Sequence, residues 1–300
     1  MNDVPVDVHP ELLDPKWQRA ALRRAKAEVR RSRRRRSRGK TVAALIAVVA
    51  VAAVSYLYFD GRLDGLLTST TRDPAKPFLG TAAAAWADGA AGFAAPSTTP
   101  VGTYTGDQVA AATEQVRKLL ITSRLDRRVI EGHDARPVLD LLAPDASKSV
   151  QPTLKPGTGG SPRWLHASIA KESRLAPAEP KVNGITTVGL AEDGALRVTA
   201  KYLIAYAFEA PGISDPEDAV ATERLEINYE VRTGVQWRKG ERGVWIVKSP
   251  GVVAYAYRCK PWNDGFLAPS LGSAPSGGRG DKLSFFDLNT PLTTYGICSV

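Results

Sequence analysis

Cysteine, methionine and histidine are nearly missing from this chain of 300 residues, which carries two, one and three of them. Two cysteines exclude a disulfide-dense scaffold and leave too few thiolates for a zinc-finger framework. The histidines are too few and lack ligand spacing, which argues against a metal centre. No G-x-S-x-G, H-E-x-x-H, Walker A or G-x-G-x-x-G pattern occurs, so the common hydrolase, zinc-protease, NTPase and dinucleotide sites are absent as motifs. Residues 155–161 are rich in glycine but lack the Gly-Lys-Ser/Thr ending of a phosphate loop and read as a connector. No cofactor is implied.

Base is what the chain has in excess. Forty Lys and Arg stand against 31 Asp and Glu, a formal charge of +9. That charge is segregated. Residues 1–40 carry +8, including the run Arg-Arg-Ser-Arg-Arg-Arg-Arg-Ser-Arg from Arg30 to Arg38, and residues 41–300 carry only +1. The arm lacks interleaved aromatics and any nucleic-acid-binding pattern, so nucleic acid is not an expected partner. Trp17, Ala21, Ala25 and Val29 recur every fourth residue and put a thin apolar stripe on a basic helix. That arrangement suits contact with anionic lipid headgroups of a bilayer.

After the arm, Thr41 to Phe59 runs 19 residues without a charge. At about 1.5 Å per residue this reaches roughly 28 Å, near the hydrocarbon thickness of a bilayer. The expectation is a transmembrane helix acting as a signal anchor. The basic flank then places residues 1–40 in the cytoplasm and the rest outside the cell membrane, single-pass. A cleavable signal peptide fits less well, because its n-region would be 40 residues long.

Residues 60–104, rich in Ala, Gly, Thr and Pro, read as a stalk, with Trp86 and Phe93 available to dock. Thr105-Gly106-Asp107-Gln108 has the form of a capping box, and Val109, Ala112, Val116, Leu119 and Leu120 follow at helical spacing. A helix over 106–124 and a second over 134–142 are expected. Beyond residues 153–163 the period changes to two. Leu196, Val198, Ala200, Tyr202, Ile204, Tyr206 and Phe208 share one face of a strand; Leu225, Ile227, Tyr229, Val231 and Val235 share one face of the next. Asp193-Gly194 marks a hairpin from a strand at 185–190, and a last strand runs through Trp245, Val247 and Tyr255.

Helices followed by a meander imply an α+β fold: an N-terminal transmembrane helix, then helices packed on a curved antiparallel sheet of about four strands. The order is similar to the cone-shaped nuclear-transport-factor-2-like and cystatin-like architectures. The folded domain is expected over 105–267, and 268–300 as a linker and tail. Cys259 and Cys298 both fall on the expected outer side, where an even count predicts one disulfide tying the tail back. In a cone, Tyr202, Tyr206 and Tyr229 either line a pocket or pack as core, and His166 or His133 is the available general base.

Four segments carry a resemblance. Trp86-Ala87-Asp88-Gly89 precedes the first helix, Leu125-Asp126-Arg127 ends it, and Leu141-Leu142-Ala143-Pro144 follows. Arg258-Cys259 with Asp264-Gly265-Phe266 closes the sheet. Over roughly residues 80–267 the chain resembles a group of actinobacterial membrane-anchored proteins with an arginine-rich cytoplasmic arm, although here one extra residue separates Cys259 from Asp264. The resemblance implies the topology above and no activity. Two readings therefore stand: a membrane-tethered extracytoplasmic module binding an envelope protein or small ligand, or an extracytoplasmic enzyme with a cone-shaped pocket and a His/carboxylate base.

Overall fold

The computed structural model describes residues 73–154, 162–272 and 285–292, with the side chains of 248–250 excepted. Five strands form one antiparallel sheet in sequence order: β1 (Ala87–Asp88), β2 (Lys181–Leu190), β3 (Leu196–Ala207), β4 (Val220–Arg232) and β5 (Gly243–Tyr255). The helices are α1 (Gly106–Leu125), α2 (Arg127–Ile130), α3 (Arg136–Leu139), α4 (Pro144–Val150) and α5 (Cys259–Asn263).

Three expectations are corrected. The sheet has five strands among the described residues rather than about four, because Ala87–Asp88 pairs with Lys181–Val182. The sheet expected to curl into a cone-like shape is open, with β1 and β5 at its edges. The helix layer reduces to one long helix and several single turns. The second helix of 134–142 shrinks to Arg136–Leu139: Asp134 lies in a local turn before it, accepting from the Arg136 N–H at 3.1 Å, and after Leu139 the chain runs into a bridge between Leu142 and Val244. The transmembrane helix belongs to this same correction. Residues 41–59 lie outside the described residues, and no described helix is long and apolar enough to cross a membrane. The described fold is an open α+β domain.

α1 begins where its cap dictates. The Thr105 hydroxyl accepts from the Gln108 N–H, and the Gln108 side chain accepts from the Thr105 N–H at 2.8 Å, so two free amides are satisfied reciprocally. Its stripe of Val109, Ala112, Val116, Leu119 and Leu120 is buried. It meets the sheet face formed by Leu196, Val198, Ala200, Tyr202, Ile204 and Tyr206 on β3 and Leu225, Ile227, Tyr229 and Val231 on β4 in one continuous core. Alternation of apolar and polar residues fixes that face, since a slip of one residue would turn every side chain over. Val235 falls outside β4, in the turn after Arg232, and is 94% exposed.

The opposite face is covered over only part of its area. Phe78 and Ala83 pack there with Ala205, Ala207 and Val220. Phe285 packs with Leu203 and Tyr255. Arg224 fastens the second cover by donating to the carbonyl oxygens of Phe285, at 3.1 Å, and Thr290. The segment from residue 73 to 104, expected as a stalk, thus supplies β1, and Phe93 enters the main core. The rest of that face is a polar ladder. Arg197 meets Glu230 at 2.9 Å, Lys201 meets Glu226 at 3.3 Å, and Thr199 donates to Asn228 at 2.8 Å. Arg232 stacks on the rings of Trp237 and Trp245 at 4.7 and 4.5 Å.

Candidate functional site

The three tyrosines are core. Tyr202 and Tyr206 have no exposed surface and Tyr229 is 2% exposed, so the inner face is filled rather than hollow. Two of their hydroxyls have structural work. The Tyr202 Oη accepts from the Ala94 N–H at 3.0 Å and bonds Thr186 at 2.7 Å, tying the entry segment to β2. Tyr206 donates to the Arg124 carbonyl at 3.1 Å. Burial pushes the phenols of Tyr206 and Tyr229 up, well away from ionisation.

Beneath them lies a buried ion pair that periodicity alone does not suggest. Arg124, at the end of the α1 stripe, and Glu223, on the apolar face of β4, meet at 3.3 Å, and both side chains are essentially unexposed. Arg124 also donates to the Arg163 carbonyl at 2.8 Å, while among the described residues its Nε has no hydrogen-bond partner. Arg163 lies over the Trp262 ring at 3.9 Å and donates to the Trp262 carbonyl. Burial raises the Glu223 carboxyl, and the facing guanidinium groups of Arg124 and Arg163 oppose that. Burial likewise lowers the Arg163 guanidinium, against the pull of Glu223. The two arginines around one carboxylate offset part of the cost of burying it.

His166 is 4% exposed. Its Nδ1 bonds the Ala167 carbonyl at 2.8 Å and the Ser168 hydroxyl at 3.2 Å, and among the described residues no carboxylate hydrogen-bonds to it. Burial lowers its pKa, and Arg124 and His133 push the same way. His133, at φ +55°, bonds the Ile169 carbonyl at 2.8 Å and stacks on Phe266. Both histidines therefore brace the loop from 162 to 170. No group of three or more His, Cys, Asp or Glu able to hold a metal occurs among the described residues. No cysteine there is free, and Cys298 lies outside them.

Concavity is found elsewhere, where α1 ends. Asp126 closes α1 and caps α2, accepting from the Arg128 N–H at 2.9 Å. The Arg128 guanidinium holds the Asp126 carboxyl below the usual carboxylate range. That turn sets Arg127 between two hollows. The first, about 420 Å³, is walled by Ile121, Leu125, Ala90 and the Pro177–Pro180 segment, with Glu179 at its side. The second, about 560 Å³, is lined by Glu131, Lys171, Arg174, Leu175 and Glu209. Arg127 lines both; it meets Glu131 at 3.0 Å and donates to the Ala176 carbonyl at 2.7 Å.

The wall is pinned at Gly89, whose N–H donates to the Pro180 carbonyl at 2.8 Å. Gly89 sits at φ +51°, which glycine adopts without strain, and a Cβ there would overlap the Glu179 carboxylate and force that side chain to move. The first hollow is mixed, with Ile121, Leu125 and two prolines beside Arg127, Asp126 and Glu179; the second is polar with both signs of charge. Together they suit a ligand with an apolar part and charged groups beside it. Of the residues expected to form a site, the structure brings none to this groove. Pro177 to Pro180, a proline-bracketed segment before a strand, was its available sequence signal. No protein-family model, curated protein or solved structure matches the chain.

Proposed function

We propose that this chain is a partner-binding module held at the cell membrane, its folded domain outside the cell and its contact site the groove around Arg127. The observation that carries the binding reading is the combination of a filled inner sheet face with an open, mixed-charge groove at the end of α1. His166 without a bonded carboxylate does not favour the enzymatic alternative. Charge segregation supports the location: +8 on residues 1–40 faces the anionic leaflet, and the uncharged run 41–59 adjoins it. A bond between Cys259 and Cys298 belongs to the same proposal and suits an oxidising compartment. The partner is an envelope protein or small ligand carrying an apolar group flanked by charge.

The test is photocrosslinking in intact cells with the full-length chain. A photoreactive residue replaces Lys171 at the groove rim, or Lys118 on the exposed side of α1. Adducts from position 171 that vanish with Arg127→Ala, and none from position 118, are expected. Equal labelling from both positions, or adducts indifferent to Arg127, would overturn the groove. Protease treatment of the same cells reads orientation: survival of 105–300 while the arm is cut contradicts an outer domain.

A further inference from the structure

Ionic groups crowd the end of α1, and most of them are already matched. Asp126 is paired with Arg128 at 2.6 Å. Arg127 is paired with Glu131 at 3.0 Å and donates to the Ala176 carbonyl. Arg117, which donates to the Ala90 carbonyl at 3.0 Å, faces Glu114 at 3.8 Å. Lys181, the residue after Pro180, is paired with Asp88 at 2.8 Å. Glu179 is the exception. It lines the first hollow, is exposed, and among the described residues makes no ion pair or side-chain hydrogen bond. In the second hollow, once Arg127 and Glu131 cancel, Lys171 and Arg174 stand against Glu209 alone. The first hollow thus lacks a cation and the second has one too many.

We propose that the first hollow receives a basic side chain, lysine or arginine, presented by the partner protein. Glu179 binds the cationic head, and Ile121 and Leu125 pack its aliphatic stem. The inference rests on the groove reading above and gives that groove a ligand of stated charge. Glu179 is well placed for the task, because its backbone is held on both sides. Pro177 and Pro180 fix their own φ angles around it. Before them the Ala176 N–H donates to the Ala207 carbonyl at 2.8 Å, and after them the Pro180 carbonyl accepts from Gly89 at 2.8 Å. The carboxylate lies across Gly89, in the space a Cβ would fill.

The surroundings choose the kind of cation. A hard metal ion takes several oxygen ligands at once. Here one carboxylate is unengaged, and no metal-holding group of acids occurs among the described residues. A single carboxylate suits one ammonium or guanidinium, through charge-assisted hydrogen bonds. Ile121, Leu125 and the two prolines add apolar wall beside it. Lysine and arginine lay their methylene stems along such surface while the charged head stays at the wet rim. Arg127 and the spare bases beyond it repel a cation from the second hollow, so the basic head is directed to the Glu179 side. Two hollows that share one residue take a ligand longer than a lone amine, and this selects a segment of protein chain over a free metabolite.

The test uses the full-length wild-type chain in membranes. A water-soluble carbodiimide with glycinamide modifies its carboxylates, and the rate at each is read peptide by peptide. Three probes compete. Nα-acetylarginine amide carries stem and head, its norleucine analogue the stem alone, and guanidinium chloride the head alone. At about 10 mM the arginine probe is expected to slow modification of Glu179 roughly threefold, as a dissociation constant of about 5 mM gives. The exposed Glu192 is expected to react at an unchanged rate, and the other two probes to protect neither residue. No protection by the arginine probe, equal protection by either of the others, or equal protection of Glu192 would each overturn the proposal. The groove reading is judged separately, by the adducts from position 171. Protection of Glu179 without those adducts contradicts the groove as the contact site, and adducts without protection contradict the basic side chain.

Discussion

The two faces of one sheet carry the same kinds of ionic group to opposite ends. On the inner face, Arg124 and Glu223 are sealed beneath α1 with no exposed surface to speak of. On the outer face, Arg197–Glu230 and Lys201–Glu226 lie in a ladder whose basic members are 41% and 36% exposed. The inner pair has lost its water, so each partner depends on the other; on the outer face Glu230 is buried, but the bases Arg197 and Lys201 keep water as an alternative partner. Packing fixes the first face, and solvent tolerates change on the second.

Removing Arg124 separates the faces most strongly. Arg124→Met leaves Glu223 buried without its main partner and is expected to cost about 3–5 kcal/mol in chemical denaturation, most of which Glu223→Leu returns in the double variant. If the single variant unfolds like the parent, the inner pair is not sealed. Next comes Tyr202→Phe, which deprives the Ala94 N–H and Thr186 of their partner. Its expected loss is about 1–3 kcal/mol, read as a lower unfolding midpoint.

Acid acts through His166. Its folded pKa lies below the ordinary 6.5, so the unfolded chain takes up the proton first. Stability contributed by neutral His166 is complete above about pH 6.5 and falls as pH drops toward the folded value, by at most about 1.4 kcal/mol per pH unit. His166→Asn is expected to flatten the stability-against-pH curve just below about pH 6.5; an unchanged slope there contradicts a buried neutral imidazole. Smallest is the outer ladder. Lys201→Ala is expected to change stability by about 0–1 kcal/mol, and added salt to reduce even that.

Much of the strand layout is legible from alternation, because a half-buried strand must place every second residue in the core. The Thr105 box announces the start of α1, and Asp193-Gly194 announces the hairpin, with Gly194 at φ +84°. β1 is not legible: two residues carry no period, and Ala87–Asp88 becomes a strand only because β2 offers it an edge. The buried pair left a trace that apolar counting passes over. Glu223 has the same parity as Leu225 and Ile227, and Arg124 follows Leu120 by one helical turn. A charged residue on each of two apolar faces is the signature of a pair between them.

The tyrosines show the reverse limit. Alternation places Tyr202, Tyr206 and Tyr229 on one face but does not say whether that face is filled. The filling comes from α1 and from Phe93, which stacks on Tyr202 at 4.9 Å from a segment without strand or helix period. The groove was hidden for a related reason. Its walls come from residues 89–90, 121–131 and 169–180 with Glu209, which only the fold brings together.

Hydroxyl-radical footprinting of the full-length chain, read peptide by peptide, tests the contrast between a filled inner face and an open surface most directly. Tyr202, Tyr206 and Tyr229 should label far more slowly than the exposed Leu79 and Val235. Inner-face tyrosines that label as fast as Val235 would show a hollow sheet and contradict the account.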